Sequence, residues 1–491
     1  MENFYVKSAR AQIVNEDTPI SLGMNRVKEG KYYEFSATLD GELADGQKIL
    51  FCHGHMASYG RWMEITNTEI KICSYVPWAE VPSKEYVFTH GLTVKGHVNL
   101  NVAYDTANSK KEIILSTDGG EYKMGAGHWS CCDGELCVKV EGVALKDAFL
   151  GFNSLGYSHD IWIIGASYLS LGDPARWPYY WFAEGGAGPL LVGRGGMGAQ
   201  HGIEDFKDAL NYGAPKILVW DSVSGNNPDK EGVLNPLFYD NTLEMLRICK
   251  EKGIKVYIQT MPNCPLQTNM IKNDVILNRT LDFANYDYEI IDLARALNAR
   301  DEENPAWFPN MLHTDNVHPT RLGGRASYLG IVVDAPELIL GKPVDIYRAD
   351  AKELKSGEEV VLSASTEVKS VSAITLRADF ADELYGEIIL GSKGGSYLAL
   401  DKDNIKVYSE SGELLLTAEN PAIMNKLFNL KVKVSDGKAA IVLASSGEKN
   451  FDATKTTLDV FEAEWKIGGE IFAKANGQSL NDVVVRFATV D

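Results

Sequence analysis

The sequence has no run of about 18 apolar residues, so nothing in it reads as a membrane-spanning helix. Residues 1–13 mix polar and apolar side chains and lack the basic stretch and apolar core of a secretion signal. Placement outside the cell or on its surface is expected only if a signal has been removed. A virion-associated protein is the alternative, and the compartment is left unknown. Clusters of Lys and Arg are also missing, and the formal net charge is -19. Like charges repel, which argues against nucleic acid or an anionic membrane as a partner. There is no Cys-x-x-Cys pair and no paired His/Cys spacing of the kind that holds zinc, so no metal is expected. The seven cysteines are an odd number, and Cys131 and Cys132 are adjacent. A disulfide scaffold is therefore not expected, and mostly buried thiols are.

What is present is an ordinary folded composition, 45% hydrophobic and 23% charged. A chain of 491 residues is too long for one core and suggests two to four domains. Up to about residue 157 it reads as all-β. Alternating stretches at 32–39, 48–52, 69–73, 98–104 and 111–116 are separated by turn pairs such as Asp40-Gly41, Asp118-Gly119 and Asp133-Gly134. Short strands with regular turns predict a β-sandwich.

The pattern changes near His159. Residues 160–164 form a continuous apolar run, as do 216–220 and 255–259, the signature of strands buried on both faces of a parallel sheet. An amphipathic helix is predicted over about 239–252, ended by Gly253. Alternating strands and helices predict an α/β domain over 158–342. The remaining segment, 343–491, is β-like again and echoes the first. Residues 391–397 and 404–407 match 54–59 and 69–72 in pattern, and 428–434 with 440–443 match 98–102 with 113–115. Two related β-sandwiches flanking one α/β domain are therefore expected. Their pattern resembles laminin-G or concanavalin-like jelly rolls.

Three places could carry chemistry. Ser167 directly follows the apolar strand, in Gly165-Ala166-Ser167, where the ligand crevice of an α/β sheet lies. Gly165 permits a tight turn that would expose it, although a plain turn serine looks the same. Asp315-Asn316-Val317-His318 offers a carboxylate and an imidazole three residues apart, so both can fall on one side of a loop. Histidine has the pKa to take a proton from an alcohol, and a carboxylate fixes its tautomer. Pro319 then favours the start of a helix over 320–330. The third place is a set of donors for an oxyanion: the backbone N–H groups of Ser167 and Gly195 and the side-chain amide of Asn226. Gly and Asn at such positions are also common in ordinary turns. Tyr168, Trp177 and Tyr180 follow the serine and are candidates for a pocket rim, with core packing as the competing role.

Taken together and in this order, Gly165-Ala166-Ser167, Gly195, Ser224-Gly225-Asn226 and Asp315-Asn316-Val317-His318-Pro319 resemble the four blocks of the SGNH (GDSL-like) hydrolase family. The resemblance covers a little over a third of the chain, about 160–340. It implies a flavodoxin-like three-layer α/β/α domain, a catalytic triad of Ser167, His318 and Asp315, and an oxyanion hole of Ser167, Gly195 and Asn226, with no metal or organic cofactor. The sequence departs from the family at Ala166, where Asp is usual, and at Ser224 and Asn227, where Gly and Asp are usual. The expected function is hydrolysis of short acyl esters, O-acetyl above all, on a carbohydrate. The alternative is a degenerate domain in a glycan-binding adhesin or phage tail protein. A lipase or thioesterase fits less well, for want of an apolar lid segment. A carbohydrate ester is the expected partner, and a homo-oligomer is compatible with the sequence.

Overall fold

In the computed structural model, residues 5–25, 31–55, 59–75, 84–105, 110–125, 134–153, 160–169, 174–184, 190–193, 196–210, 213–221, 225–297, 307–362 and 371–490 are described. The chain divides into two compact units. The first comprises Met1–Gly172, Gly188–Met197 and His201–Ala214; the second comprises Asp173–Ala187, Gly198–Gln200 and Pro215–Asp491.

The first unit opens with two six-stranded antiparallel sheets. One runs, in spatial order, Tyr5–Val14, Leu145–Asn153, Lys31–Glu42, Lys95–Asp105, Lys110–Thr117 and Gly120–Gly125. The other runs Ile20–Asn25, Gly134–Glu141, Lys48–His55, Tyr59–Ile65, Glu69–Tyr75 and Lys84–Thr89. The alternation seen in the sequence sets the core. Tyr33, Phe35, Ala37 and Leu39 are buried, the residues between them are half-buried, and Phe35 sits opposite Leu100 in register. Cys52 and Cys137 face each other across two strands and, with Cys73, pack as buried thiols against Leu50 and Trp62.

After this sandwich the first unit carries two parallel strands, β1 (Ile161–Gly165) and β2 (Leu190–Gly193), with Ile164 opposite Val192. Every residue of β1 is buried, as its continuous apolar run requires. Trp162 packs edge-on against Phe206 at 6.2 Å.

The second unit continues the parallel pattern with β3 (Ile217–Trp220), β4 (Lys255–Gln259) and β5 (Glu289–Ile291), paired in that order. Its helices include α1 (Trp177–Ala183), α2 (Ala199–Ala209, which begins here), α3 (Pro236–Lys252), α4 (Met270–Asn278), α5 (Leu293–Ala296) and α6 (Arg321–Asp334). The helix predicted over 239–252 starts earlier, because Pro236 stands in its first turn and Asn235 Oδ1 accepts the Leu237 N–H at 3.0 Å. Gly253 ends it at φ 67°, a left-handed conformation that glycine adopts without strain. Thr320 caps α6 by accepting the Gly323 N–H.

The rest of the second unit is again two six-stranded antiparallel sheets. The first runs Ile346–Leu354, Leu480–Val490, Val371–Glu383, Asn425–Ser435, Lys438–Ala444 and Phe461–Glu464. The second runs Glu359–Leu362, Ile471–Asn476, Glu387–Ser392, Tyr397–Leu400, Asn404–Tyr408 and Leu414–Glu419. Numbered from its own first strand, each of the twelve strands holds the same place as its counterpart in the first sandwich. Within this unit α6 is buried along its whole length after Arg321. It packs on the strands Val371–Glu383, Asn425–Ser435 and Lys438–Ala444, and its buried residues include the polar Arg325, Ser327 and Asp334 beside the apolar ones.

Polar anchors sit in that same contact. Asp334 lies between Arg377 (2.7 Å) and Arg486 (3.0 Å), all three buried, and also accepts the Asp292 N–H at 2.9 Å. Glu184, just past α1, pairs with Lys431 of the β-sheet and accepts the Tyr328 hydroxyl of α6, a second polar link across this contact. The sandwich following α6 is therefore continuous in packing with the helices before it. Among the described residues no helix is long and apolar enough to cross a membrane.

Candidate active site

Ser167 opens a short 3-10 turn, Ser167–Leu169, at the carboxyl end of β1. Ala166 beneath it is buried, and its carbonyl accepts the Leu169 N–H at 3.0 Å, which closes the turn and leaves the serine half-buried. An Asp at 166 would bury a carboxylate at this position, which costs free energy unless it is paired.

Asp315 and His318 stand on a tight hairpin. Its two arms are closed by the bridge between Leu312 and Pro319, by His313 N–H to His318 O (2.8 Å) and by Thr320 N–H to Met311 O (2.7 Å). Asn316 takes the left-handed conformation the reversal needs, at φ 59°. Asp315 Oδ1 accepts the backbone N–H groups of Val317 and His318, both at 3.0 Å. Its Oδ2 lies 2.8 Å from His318 Nδ1. Burial pushes the Asp315 carboxyl up, but those two N–H bonds and the His318 imidazole outweigh it and hold the group well below the usual carboxylate range. A charged carboxylate on Nδ1 keeps the proton there and turns the basic lone pair to Nε2.

His313 was not singled out in the sequence. Its Nδ1 accepts the Asp315 N–H at 3.2 Å, so this imidazole braces the backbone of the residue whose carboxylate holds His318. The near-symmetric spacing of His313, Asp315 and His318 was the available signal.

Of the expected oxyanion donors, Gly195 lies outside the described residues, as does Ser224. Asn226 is half-buried in a turn after β3. Its neighbour Asn227 is buried and more heavily engaged than the sequence suggested. Asn227 Oδ1 accepts the Ala199 N–H at 2.7 Å at the start of α2, and Nδ2 donates to Gln200 Oε1 at 3.1 Å. Gly198 is needed for this approach, because a Cβ there would sit 2.6 Å from Asn227 Oδ1 and 2.6 Å from Gln200 Oε1.

The three aromatics expected at the rim are interior. Tyr168 is 5% exposed, Trp177 1% and Tyr180 0%. Trp177 packs on Trp181, and Tyr180 donates its hydroxyl to Pro174 O at 2.7 Å. The short helix α1 turns Trp177, Tyr180 and Trp181 into the core and leaves Tyr179 half-buried, which the sequence does not distinguish from a rim.

Phe451, far along the chain, lines a surface pocket instead. An open pocket of about 590 Å³ in the second unit is lined by Leu312, His313, Asp315, Arg176, Arg321 and Phe451, among others. That volume is in the range of small-molecule sites. The loop carrying Phe451 is held by Arg321, which donates to Ala453 O (3.2 Å) and Thr454 O (2.6 Å), and by Arg325, which donates to Thr457 O and pairs with Glu448. Among the described residues no group of three or more His, Cys, Asp or Glu side chains is placed to hold a metal ion.

No family model matches the chain, and no curated protein matches it. Among solved structures, a GDSL-like lipase from Bacteroides thetaiotaomicron is 16% identical over 37% of this chain and 87% of its own, with a TM-score of 0.27. TesA is 14% identical over 36% of this chain and 98% of its own, also at 0.27. A toad ovary galectin, solved with thio-digalactose, is 12% identical over 29% of this chain and 96% of its own, at 0.20. Likenesses this slight carry no argument, and the chemistry rests on the residues themselves.

Proposed function

We propose that the chain is a serine esterase that removes short acyl groups, O-acetyl above all, from a carbohydrate. The observation that carries this reading is the Asp315–His318 pair, in which a charge-holding carboxylate is bonded to Nδ1 at 2.8 Å on a hairpin fixed by its own backbone. Such a pair is a general base in search of an alcohol, and Ser167, at the end of a parallel strand, is the alcohol we assign to it.

In the proposed reaction Ser167 Oγ attacks the acyl carbonyl carbon while His318 Nε2 takes its proton. Asn226 and the backbone N–H groups of Ser167 and Gly195 hold the oxyanion. The tetrahedral intermediate collapses, the sugar oxygen leaves with the proton from His318, and an acyl-serine remains. Water attacks that ester as His318 takes its proton, and the carboxylic acid departs with Ser167 restored. The pocket beside Asp315 is where we place the sugar. Phe451 offers a ring face, and Arg176, Arg321 and Asn310 offer hydrogen-bond groups of the kind hydroxyls need.

The test is acetate release from p-nitrophenyl acetate and from an acetylated polysaccharide mixture, native chain against Ser167→Ala. Release that disappears in the variant supports the reading. No release by the folded native chain refutes it and leaves the glycan-binding alternative.

A further inference from the structure

Lys272 is buried with 0% exposure, an expensive place for an ammonium group. It stands in the first turn of α4 and sends its chain across the interior beside the Phe238 ring, 5.1 Å from the centroid. Its Nζ donates to Asn227 O at 2.6 Å and to Asn269 Oδ1 at 2.8 Å. Burial pushes the amine down to about 7, against the pull of Asp229.

The Asn227 bond is the informative one. The same asparagine holds the start of α2 through its side chain, and it directly follows Asn226. Asp229, two residues on, accepts the Ile271 N–H at 2.9 Å and the Lys272 N–H at 3.3 Å, while its own N–H donates to Thr268 O at 2.8 Å. The turn 225–227 is thus tied to α4 at 227 and at 229, and to α2 through Asn227. A methionine would fill the lysine's path at far lower desolvation cost but could not donate to a carbonyl. We propose that Lys272 is a positioning residue that fixes the oxyanion-holding turn 225–227 through its bond to the Asn227 carbonyl.

This inference rests on the esterase reading, so its test counts active sites separately from rate. The full chain is titrated with paraoxon to give the concentration of reactive serine, and p-nitrophenyl acetate turnover is expressed per titrated site. In Lys272→Met, kcat per site falls about ten-fold, less than the loss of a whole oxyanion donor, while KM stays within about two-fold. A purely structural lysine would lower the titrated fraction and leave turnover per site at the native value; that result overturns the proposal. Asn269→Asp is the second variant; it keeps an acceptor for Nζ but loses the Nδ2 bond to Pro262 O, so its turnover too is expressed per titrated site of the folded chain. It gives Nζ a stronger acceptor than the Asn227 carbonyl, and kcat per site is again expected to fall with KM held. Native turnover per site in this variant also overturns the proposal. A native chain that neither titrates nor hydrolyses the ester overturns the esterase reading and this one with it; an active native chain with an unaffected Lys272→Met overturns this one alone.

Discussion

Replacing Asp334 by alanine tests how firmly the second sandwich is joined to the helices that precede it. The carboxylate is 4% exposed and accepts three bonds, from Arg377 (2.7 Å), Arg486 (3.0 Å) and the Asp292 N–H (2.9 Å). Alanine leaves two guanidinium groups and one backbone N–H in a dry contact. Breaking a buried ion pair by removing one partner costs about 3–5 kcal/mol. Neither arginine is stranded entirely, because Arg377 still reaches Asn429 and Gly330 O, and Arg486 still reaches Val333 O. Those bonds hold the expected loss near 4 kcal/mol rather than above it. Burial raises the Asp334 pKa, but the two arginines outweigh it and depress the group. Its stabilisation is therefore fully present above the ordinary carboxylate pKa and is lost as pH falls through the depressed folded value. Urea unfolding followed by tryptophan fluorescence at neutral pH reads the loss as a drop in midpoint. Asp350→Ala is the control, since that carboxylate pairs with Arg348 at the surface and its removal should barely move the midpoint. An Asp334→Ala midpoint equal to the control's would refute the claim that the contact is a joined, desolvated interior.

Three further outcomes follow from the site. Asp315→Ala removes the partner of His318 Nδ1 and is expected to cut kcat by about 10³–10⁴-fold with the chain still folded, measured on p-nitrophenyl acetate. Gly198→Ala pushes a methyl against the Asn227 amide, so a loss of about 1–3 kcal/mol in urea should accompany a fall in turnover. Phe451→Ala should raise KM for acetylated polysaccharide several-fold and leave p-nitrophenyl acetate kinetics near native, because only a substrate that extends into the pocket meets that ring.

The elements legible in the sequence are those that local chemistry decides. Continuous apolar runs marked β1, β3 and β4 to within a residue, since a strand covered on both faces admits no polar alternation. Gly253 marked a helix end because it satisfies orphan carbonyls by itself, and Pro319 marked the start of α6 to within two residues; its end lies at Asp334 rather than at 330, because nothing local stops a helix that is buried along its length. The Asp315–His318 bond was legible because the two residues share one hairpin.

What escaped depends on segments that meet only in the fold. Lys272 looks like any lysine on a nine-residue helix until the turn at 227 covers it. Asp334, Arg377 and Arg486 are separated by long stretches of chain, and nothing local shows that they meet. Phe451 was invisible as a pocket residue for the same reason. Tyr168, Trp177 and Tyr180 were ambiguous because an aromatic ring serves a core and a sugar face equally well, and burial decided for the core. The bonds of Asn227 to Ala199 and Gln200 were hidden because those partners meet it only in the fold.

The central claim is that Ser167 is a nucleophile activated by His318. Intact-mass analysis after paraoxon treatment, with peptide mapping of the adduct, tests it most directly. The account predicts one diethylphosphoryl group per chain, on Ser167, lost in Ser167→Ala and strongly slowed in His318→Ala. An unmodified folded chain, or an adduct on another residue that persists in Ser167→Ala, would contradict it.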